Sequence, residues 1–247
     1  MRYFDSHAHY DDSRFDEDRD ALLELDFSVV NPGIDEKTSA LATELANKYK
    51  NVYAALGIHP HNAEKVKKGY LERLKSMLSP KTVAIGEIGL DYYYMNSEKE
   101  AQRKVFSELL DFAHNLELPV IIHSRSAAQE TMELITASPV RRGVLHCFSG
   151  HINQALEYIK MGFYIGIGGP ITFKNAKKTV ETVKLMPLDR LLLETDAPYL
   201  SPEPFRGKRN DSRNLKYIAK TIAEIKKTTE QEIIKITYNN AVKLFKI

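Results

Sequence analysis

Short runs of β-branched and apolar residues alternate along the chain with longer stretches in which apolar residues recur every three or four positions. The short runs are typical of buried strands, and the longer spacing is typical of amphipathic helices. The predicted strands comprise residues 3–7, 28–31, 52–57, 83–87, 120–123, 143–147, 163–166 and 191–194. The predicted helices comprise residues 36–49, 71–78, 98–116, 127–136, 152–160, 176–185, 214–227 and 230–245.

This alternation indicates an α/β protein with a parallel sheet. Eight strands in 247 residues match the size of a (β/α)8 TIM barrel, with the last predicted helix as an extra C-terminal element. An open doubly wound sheet is the alternative, but no Gly-x-Gly-x-x-Gly motif follows the first strand. Because no Pro-, Gly- or Ser-rich linker interrupts the pattern, we expect residues 1–247 to form a single domain.

Composition narrows the class of protein. The chain is 43% hydrophobic and 28% charged, which is the balance of a globular protein and excludes a disordered or fibrous one. It lacks both the run of about 20 apolar residues that crosses a bilayer and the basic and apolar regions of a secretion signal. We therefore expect a cytoplasmic protein without membrane association, and no feature of the sequence indicates a stable protein partner.

Ionisable residues are concentrated at the carboxyl ends of the predicted strands. In a parallel barrel these ends and the loops that follow them converge on one mouth, so residues far apart in sequence become neighbours. The residues placed there are His7, His9, His59, His61, Glu87, His123, His146 and Asp196. We expect them to line one cleft.

The two-residue period of a strand predicts which side chains share a face. His7 and His9 then point together into the cleft, and Asp5 lies one layer deeper on the same inward face. By the same rule, Glu87 shares a face with Val83 and Ile85.

Two further residues follow from this period. Glu194 lies on the inward face below Asp196, where we expect it to orient a histidine; a salt bridge to an interior Lys or Arg is the alternative. Cys147 alternates with His146 and is expected to face the outer helices. As the single cysteine of the chain, it forms no disulfide within it.

The donors at the mouth suit divalent metal ions. Imidazole and carboxylate ligands bind Zn, Mn, Fe or Co, and with added water Mg, although for any one residue a salt bridge or a packed histidine is the alternative. Burying all of them without a cation would leave unpaired polar groups, each at a cost of about 1–3 kcal/mol. The candidate ligands outnumber the three of an open zinc site. We therefore expect two ions (Mg, Mn or Zn), with Glu87 bridging them.

Basic residues gather late in the chain. Residues 201–227 contain eight Lys or Arg against three Asp or Glu, although the net charge of the whole chain is only +2. A solvated charged loop is the alternative to phosphate binding here. The candidate phosphate contacts at the predicted mouth and in its loops are His59, His61, Arg125, Arg206 and Arg209.

Six segments together resemble the motifs of the TatD family of metal-dependent deoxyribonucleases, in the order usual for that family. They are residues 5–9 (DSHAH), 57–61 (GIHPH), 86–92 (GEIGLDY), 118–125 (LPVIIHSR), 146–150 (HCFSG) and 194–200 (ETDAPYL). The resemblance extends from residue 4 to about residue 245, and it is specific as a set.

The resemblance implies a TIM barrel that hydrolyses DNA phosphodiester bonds in the 3′ to 5′ direction with water activated by two metal ions. It also implies the ligands, with one ion held by His7, His9, Glu87 and Asp196, and the other by Glu87, His123 and His146. We expect Glu87 and Asp196 to be the catalytic residues, with Asp196 accepting the proton of the attacking water.

Two other functions remain open at this point. Ester or amide cleavage, such as removal of D-amino acids from mischarged tRNA, uses much the same ligands and is also associated with the family. A nucleic-acid-binding protein with structural metals belongs to a different class. Open coordination positions argue against it, because structural zinc sites are closed.

Overall fold

The computed structural model describes residues 2–247, which contain one sheet of eight parallel strands that pair in chain order. This arrangement, with helices between the strands, confirms the predicted TIM barrel. The strands are β1 Tyr3–Asp5, β2 Phe27–Pro32, β3 Val52–Leu56, β4 Thr82–Asp91, β5 Val120–Arg125, β6 Gly143–Leu145, β7 Phe163–Ile167 and β8 Leu191–Leu193.

The first and last strands meet just beyond their carboxyl ends. The N–H of Ser6 donates to the carbonyl of Leu193 over 3.0 Å, and Ala8 forms a parallel bridge with Ala197. The barrel is therefore nearly closed, and the segments that follow β1 and β8 lie side by side at its mouth.

A helix follows each strand, and a ninth helix ends the described chain. The helices are α1 Arg19–Leu23, α2 Glu36–Lys48, α3 Tyr70–Ser76, α4 Lys99–Asn115, α5 Ala128–Ala137, α6 Ile152–Lys160, α7 Lys177–Leu185, α8 Leu215–Lys226 and α9 Glu230–Phe245. Helix α1 was not predicted, because five residues are too few to display the helical period. Among residues 2–247, every helix is too short or too polar to cross a bilayer.

The extra helix α9 closes the amino end of the barrel. The ring of Phe4, on β1, lies 5.9 Å from the ring of Phe245 and 6.0 Å from that of Tyr238, both in α9. Tyr53 of β3 stacks on Phe4 at 6.2 Å. This aromatic plug belongs to the apolar cluster inside the barrel, so the ionisable residues occupy the opposite end.

Strand β4 departs from the predicted alternation. Between Ile85 and Ile88 a step of three residues in β4 matches a step of two in β5, which is a bulge, and a bulge re-aims the side chains that follow it. Val83 belongs to the interior cluster, whereas Ile85 belongs to the outer cluster that includes the helices. The prediction that Val83, Ile85 and Glu87 share a face is therefore wrong, since Glu87 points into the mouth.

Two strand ends also differ from the prediction, with consequences for the mouth. Strand β4 continues four residues past Glu87 and pairs with β5 as far as Asp91. Strand β1, in contrast, ends at Asp5, so His7 and His9 lie in the segment that follows the strand. The extension of β4 brings an additional carboxylate, that of Asp91, to the rim.

Candidate metal centre

The carboxylate of Glu87 lies between two groups of histidines. Its Oε2 is 3.2 Å from Nε2 of His7 and 3.8 Å from Nε2 of His9. Its Oε1 is 2.9 Å from Nδ1 of His123 and 3.6 Å from Nε2 of His59. Glu87 is 3% exposed, so these imidazoles take the place of water around it. Each oxygen therefore faces a different pair of rings.

The first group consists of His7, His9, His146 and Asp196, beside Oε2 of Glu87. The Nε2 atoms of His7 and His9 are 3.1 Å apart, and the rings of His7 and His146 stack with centroids 3.5 Å apart. Oδ1 of Asp196 lies 3.7 to 3.8 Å from Nε2 of each of the three histidines. Barrel closure creates this group, because its members follow β1, β6 and β8.

The second group consists of His59, His61, His123 and Asp91, beside Oε1 of Glu87. Oδ2 of Asp91 is 2.9 Å from Nε2 of His61 and 3.1 Å from Nε2 of His123. The rings of His59 and His123 are 4.5 Å apart. His123 therefore has a carboxylate at each ring nitrogen, Glu87 at Nδ1 and Asp91 at Nε2.

Asp91 was missed in the sequence, because the predicted strand ended at Glu87. The signal that could have found it is alternation, since residues 87, 89 and 91 share a face when the strand continues. Its carboxylate is fully buried, and Oδ1 accepts hydrogen bonds from the N–H groups of Tyr93 (3.0 Å) and Tyr94 (2.9 Å). One side chain thus positions two histidines and the loop after β4.

The position of His146 differs from the one that the family motif implies. The motif assigns it to the ion shared with His123. In the structure the ligand atoms of His59, Glu87 and His123 lie within 4.8 Å of one another, whereas His146 forms such a group with His7 and the carboxylate that follows β8. His59, expected only as a phosphate contact, is therefore close enough to Glu87 to share an ion with it.

Glu194 lies beneath His146, and its carboxylate forms an ion pair with the ring. Its Oε1 is 3.1 Å from Nδ1 of His146 and accepts a hydrogen bond from the N–H of Cys147 over 2.5 Å. The carboxylate is fully buried, and its Oε2 has no hydrogen-bond partner within residues 2–247. Gly166 supplies the space, because a Cβ there would come within 2.3 Å of Oε2.

Asp5 lies outside the barrel interior, contrary to the prediction of a deeper inward layer. The neighbouring Phe4 takes the interior position, so alternation turns Asp5 outward. Its carboxylate accepts hydrogen bonds from the N–H (2.9 Å) and Oγ1 (2.6 Å) of Thr195 and from Oγ of Ser212 (2.7 Å). It also accepts a 3.3 Å bond from the N–H of His7. Asp5 therefore fixes the backbone around the first group and stays out of the cluster.

Cys147 does not face the outer helices, and that prediction is wrong. The residue has a φ of 45°, in the left-handed region, so the strand alternation stops after β6. Its Sγ lies within 4.8 Å of ligand atoms of His146 and Glu194. Burial and the nearby carboxylates raise the pKa of the thiol well above its usual value, so it is protonated at neutral pH.

Burial sets the protonation of the side chains around Glu87. It lowers the pKa of His7 well below the usual value and that of His59 to about 3, so both imidazoles are neutral. For Glu87 burial alone would raise the pKa, but the surrounding imidazoles of His7, His59 and His123 outweigh this effect and hold the pKa well below the usual range. Neutral imidazole and ionised carboxylate are the forms that bind metal.

In the first group, the pKa values of His146 and Asp196 are both raised. Burial opposes the imidazolium form of His146, yet the carboxylates of Glu194 and Asp196 raise its pKa to about 10. Burial raises the pKa of Asp196 to about 6. A proton therefore occupies this group at neutral pH when no other cation balances the carboxylates.

The donor set fits divalent ions on two grounds. Nδ1 of His7 and Oε2 of Glu194 are buried without a hydrogen-bond partner in the described chain, and such groups are costly unless a cation offsets their burial. In addition, the Nε2 atoms of His7 and His9 lie 3.2 and 3.8 Å from Oε2 of the ionised Glu87. Nitrogen and oxygen donors without a thiolate suit Zn, Mn or Mg.

The three arginines predicted to contact phosphate differ in whether their charge is already paired within the protein. Arg125 is exposed and stacks over the rings of Tyr93 and Tyr94 at 4.2 and 4.5 Å. Arg206 is exposed and lies 4.4 Å from the ring of Phe173. Arg209 instead donates two hydrogen bonds, of 2.8 and 2.5 Å, to Asp18. Its charge is therefore already paired within the protein.

Comparison with known proteins gives a consistent assignment. The family described as "TatD related DNase" matches residues 4–246. YabD of Bacillus subtilis, described as an uncharacterized metal-dependent hydrolase, is 42% identical over 252 residues, covering 99% of both chains. YjjV of Escherichia coli, described in the same words, is 35% identical over 255 residues, covering 100% of this chain and 98% of its own.

Solved structures agree with these matches. The crystal structure of the Escherichia coli TatD homologue YjjV superposes with a TM-score of 0.93 at 34% identity, covering 99% of this chain and 98% of the other. A TatD family hydrolase from Entamoeba histolytica shares the fold, with a TM-score of 0.88 at 23% identity over 99% of this chain and 98% of its own. The family match across the chain confirms the resemblance seen in the sequence: the protein belongs to the TatD family of metal-dependent hydrolases.

Proposed function

We propose that the protein is a 3′ to 5′ exodeoxyribonuclease that hydrolyses phosphodiester bonds at DNA ends with two divalent metal ions. The observation that carries the proposal is the carboxylate of Glu87, whose two oxygens face two separate groups of imidazoles. A carboxylate in that position can bridge ions about 4 Å apart. The proposed ligands are His7, His9, Glu87, His123, His146 and Asp196, with His59 beside Oε1 of Glu87.

Ions bound there would polarise the scissile phosphate and lower the pKa of water toward neutrality. The protein itself supplies the proton acceptor. Asp196 belongs to the first group, its side chain is 16% exposed, and its pKa is raised to about 6. A general base works best when its pKa lies near the operating pH, so Asp196 is suited to take the proton from the attacking water.

Other side chains position the reacting groups. Glu194 holds the ring of His146 from below, and Asp91 holds the rings of His61 and His123. Arg125 is exposed at the carboxyl end of β5, and within residues 2–247 it forms no ion pair with a carboxylate. It is therefore free to contact a substrate phosphate, as Arg206 is, whereas the pairing of Arg209 with Asp18 removes that residue from the proposal.

A panel of substrates tests the function. Purified protein with Mg, Mn or Zn is given single-stranded DNA, duplex DNA, RNA and D-aminoacyl-tRNA, with the DNA labelled at either end to read the polarity. We expect metal-dependent release of nucleotides from the 3′ end, fastest with single-stranded DNA. The Asp196→Asn variant, prepared in parallel, should be at least about 100-fold slower and so exclude a contaminating nuclease.

Two results would contradict the proposal. Deacylation of D-aminoacyl-tRNA without DNA cleavage would assign the site to the alternative ester hydrolysis. DNA cleavage as fast in the Asp196→Asn protein as in the unmodified protein would contradict the proposed role of this site. A cytoplasmic location and the lack of a stable protein partner stay predictions.

A further inference from the structure

Exposed tyrosines lie beside the second group of the metal-ligand cluster. The ring of Tyr94 is 5.5 Å from that of His61, and the ring of Tyr93 is 4.9 Å from that of Tyr94. Tyr93 is 62% exposed and Tyr94 53% exposed. The guanidinium of Arg125 covers both rings at 4.2 and 4.5 Å. Large aromatic rings this exposed do not contribute to a core, so packing does not account for them.

A similar pair lies beside the first group. The ring of Tyr199 is 6.4 Å from that of His9, and Tyr199 is 48% exposed. The guanidinium of Arg14 lies 4.3 Å from this ring. Each half of the cluster thus has its own exposed tyrosine with an arginine stacked against it.

Backbone hydrogen bonds fix both tyrosine sites to the cluster. Oδ1 of Asp91 accepts from the N–H groups of Tyr93 and Tyr94, while its Oδ2 contacts the histidines of the second group. The N–H of Tyr199 donates to the carbonyl of Asp196 over 2.8 Å. The residues that form the cluster therefore also determine where the rings stand.

Arg14 and Arg125 differ in whether a carboxylate pairs with the guanidinium. Arg14 donates two hydrogen bonds of 2.8 Å to Asp12, so its charge is compensated and its role is to hold the ring of Tyr199. Arg125, which forms no ion pair in the described chain, keeps a free positive charge beside Tyr93 and Tyr94. A flat exposed ring next to a free cation suits a nucleobase and its backbone phosphate.

We propose that Tyr94, with Tyr93, and Tyr199 stack the unpaired bases on the two sides of the scissile phosphate, and that Arg125 contacts the backbone. This inference rests on the proposed function and specifies its substrate class. The substrate is a single strand that carries a base on each side of the cut. Bases inside a duplex do not qualify, because their neighbours already cover both faces.

Fluorescence tests the stacking without requiring turnover. The chain contains no tryptophan, so Tyr94→Trp and Tyr199→Trp each introduce one indole at a proposed base site. Tyr49→Trp is the matched control. Its ring also has a cation nearby, since Lys48 lies 4.9 Å from it, but Tyr49 follows α2 and lies at the amino end of the barrel, away from the cluster. Each protein, with its metal, is titrated with a phosphorothioate-linked single strand and with a blunt duplex of the same sequence.

We expect the single strand to quench the indole in Tyr94→Trp and Tyr199→Trp, and not in Tyr49→Trp. The blunt duplex should quench none of them. Equal quenching by duplex and single strand, or no quenching at either proposed site, would overturn the inference.

Kinetics supply the second measurement. Loss of one stacked base weakens binding about tenfold, so Tyr94→Leu and Tyr199→Leu should each raise KM for single-stranded DNA by about that factor. Tyr49→Leu should leave KM unchanged. If all the proteins cut single strands with the same KM, the stacking proposal fails while the nuclease proposal stands. If the unmodified protein cuts no nucleic acid, the proposed function itself fails.

Discussion

Oε1 of Glu194 lies 3.1 Å from Nδ1 of His146 at the floor of the cluster. The contact directs the opposite nitrogen, Nε2, toward Asp196, at 3.7 Å from its Oδ1. A buried carboxylate that holds one imidazole nitrogen fixes the ring and makes the other nitrogen a better metal ligand. We therefore infer that Glu194 is a positioning residue for the proposed metal centre.

Replacing that carboxylate tests its role. We expect Glu194→Gln to lower metal affinity or turnover by about 10- to 100-fold, because the amide keeps the shape and loses the charge. Metal titration and kcat measure the change. Glu157→Gln, at an exposed position paired with Lys160, is the control and should behave as the unmodified protein. An unchanged metal affinity and kcat in Glu194→Gln would remove Glu194 from the site.

Metal binding should depend on pH through His146. Without an ion, Glu194 and Asp196 raise the pKa of this histidine to about 10 despite its burial, so at neutral pH the ring is protonated. A ligand histidine must be neutral, and the ion therefore displaces a proton. We expect metal affinity to rise with pH by up to about tenfold per pH unit below this pKa.

Calorimetric titration with Mn or Zn in buffers of different ionisation enthalpy counts the protons released. Fewer protons should be released by Glu194→Gln, because that variant lacks the charge that holds the proton on His146. An affinity that is independent of pH, with no proton release, would contradict the proposed role of this histidine.

Asp196→Asn should separate chemistry from metal binding. The amide oxygen can still face the first group but cannot accept a proton, so kcat should fall by about 10²- to 10⁴-fold while most of the metal is retained. Kinetics and elemental analysis on the same sample make the comparison. Asp189→Asn, in the exposed turn before β8, serves as control. A kcat equal to that of the unmodified protein would reject Asp196 as the base.

Gly166→Ala should destabilise the protein and disturb Glu194. A Cβ at this position would lie 2.3 Å from Oε2 of Glu194, whereas one at Gly168 would make an ordinary 3.4 Å contact. Overpacking of a core costs about 1–3 kcal/mol, so the free energy of unfolding should fall by that amount in Gly166→Ala and change little in Gly168→Ala. Denaturant unfolding measures both. If Gly166→Ala and Gly168→Ala were equally stable, the side chain of Glu194 would have moved to accommodate the added methyl group.

The order and type of the main elements were readable from local patterns. Alternating strands and helices sufficed for the barrel, because periodic burial is a property of neighbouring residues in the chain. The placement of histidines and carboxylates after the strands was equally visible. Helix α1 was missed because it is too short to show a period, and the end of β4 was misplaced because the strand continues past Glu87 to Asp91.

Which side chains meet at the mouth of the barrel depended on contacts between strands. The bulge in β4 turned Ile85 outward and Glu87 inward, the left-handed backbone at Cys147 brought the thiol beside Glu194, and barrel closure put His146 next to His7. Register and closure involve pairing between segments that lie many residues apart, and a local pattern does not by itself fix that pairing. Sequence alone therefore specified which chemical groups reach the rim, and the folded barrel decided which of them touch.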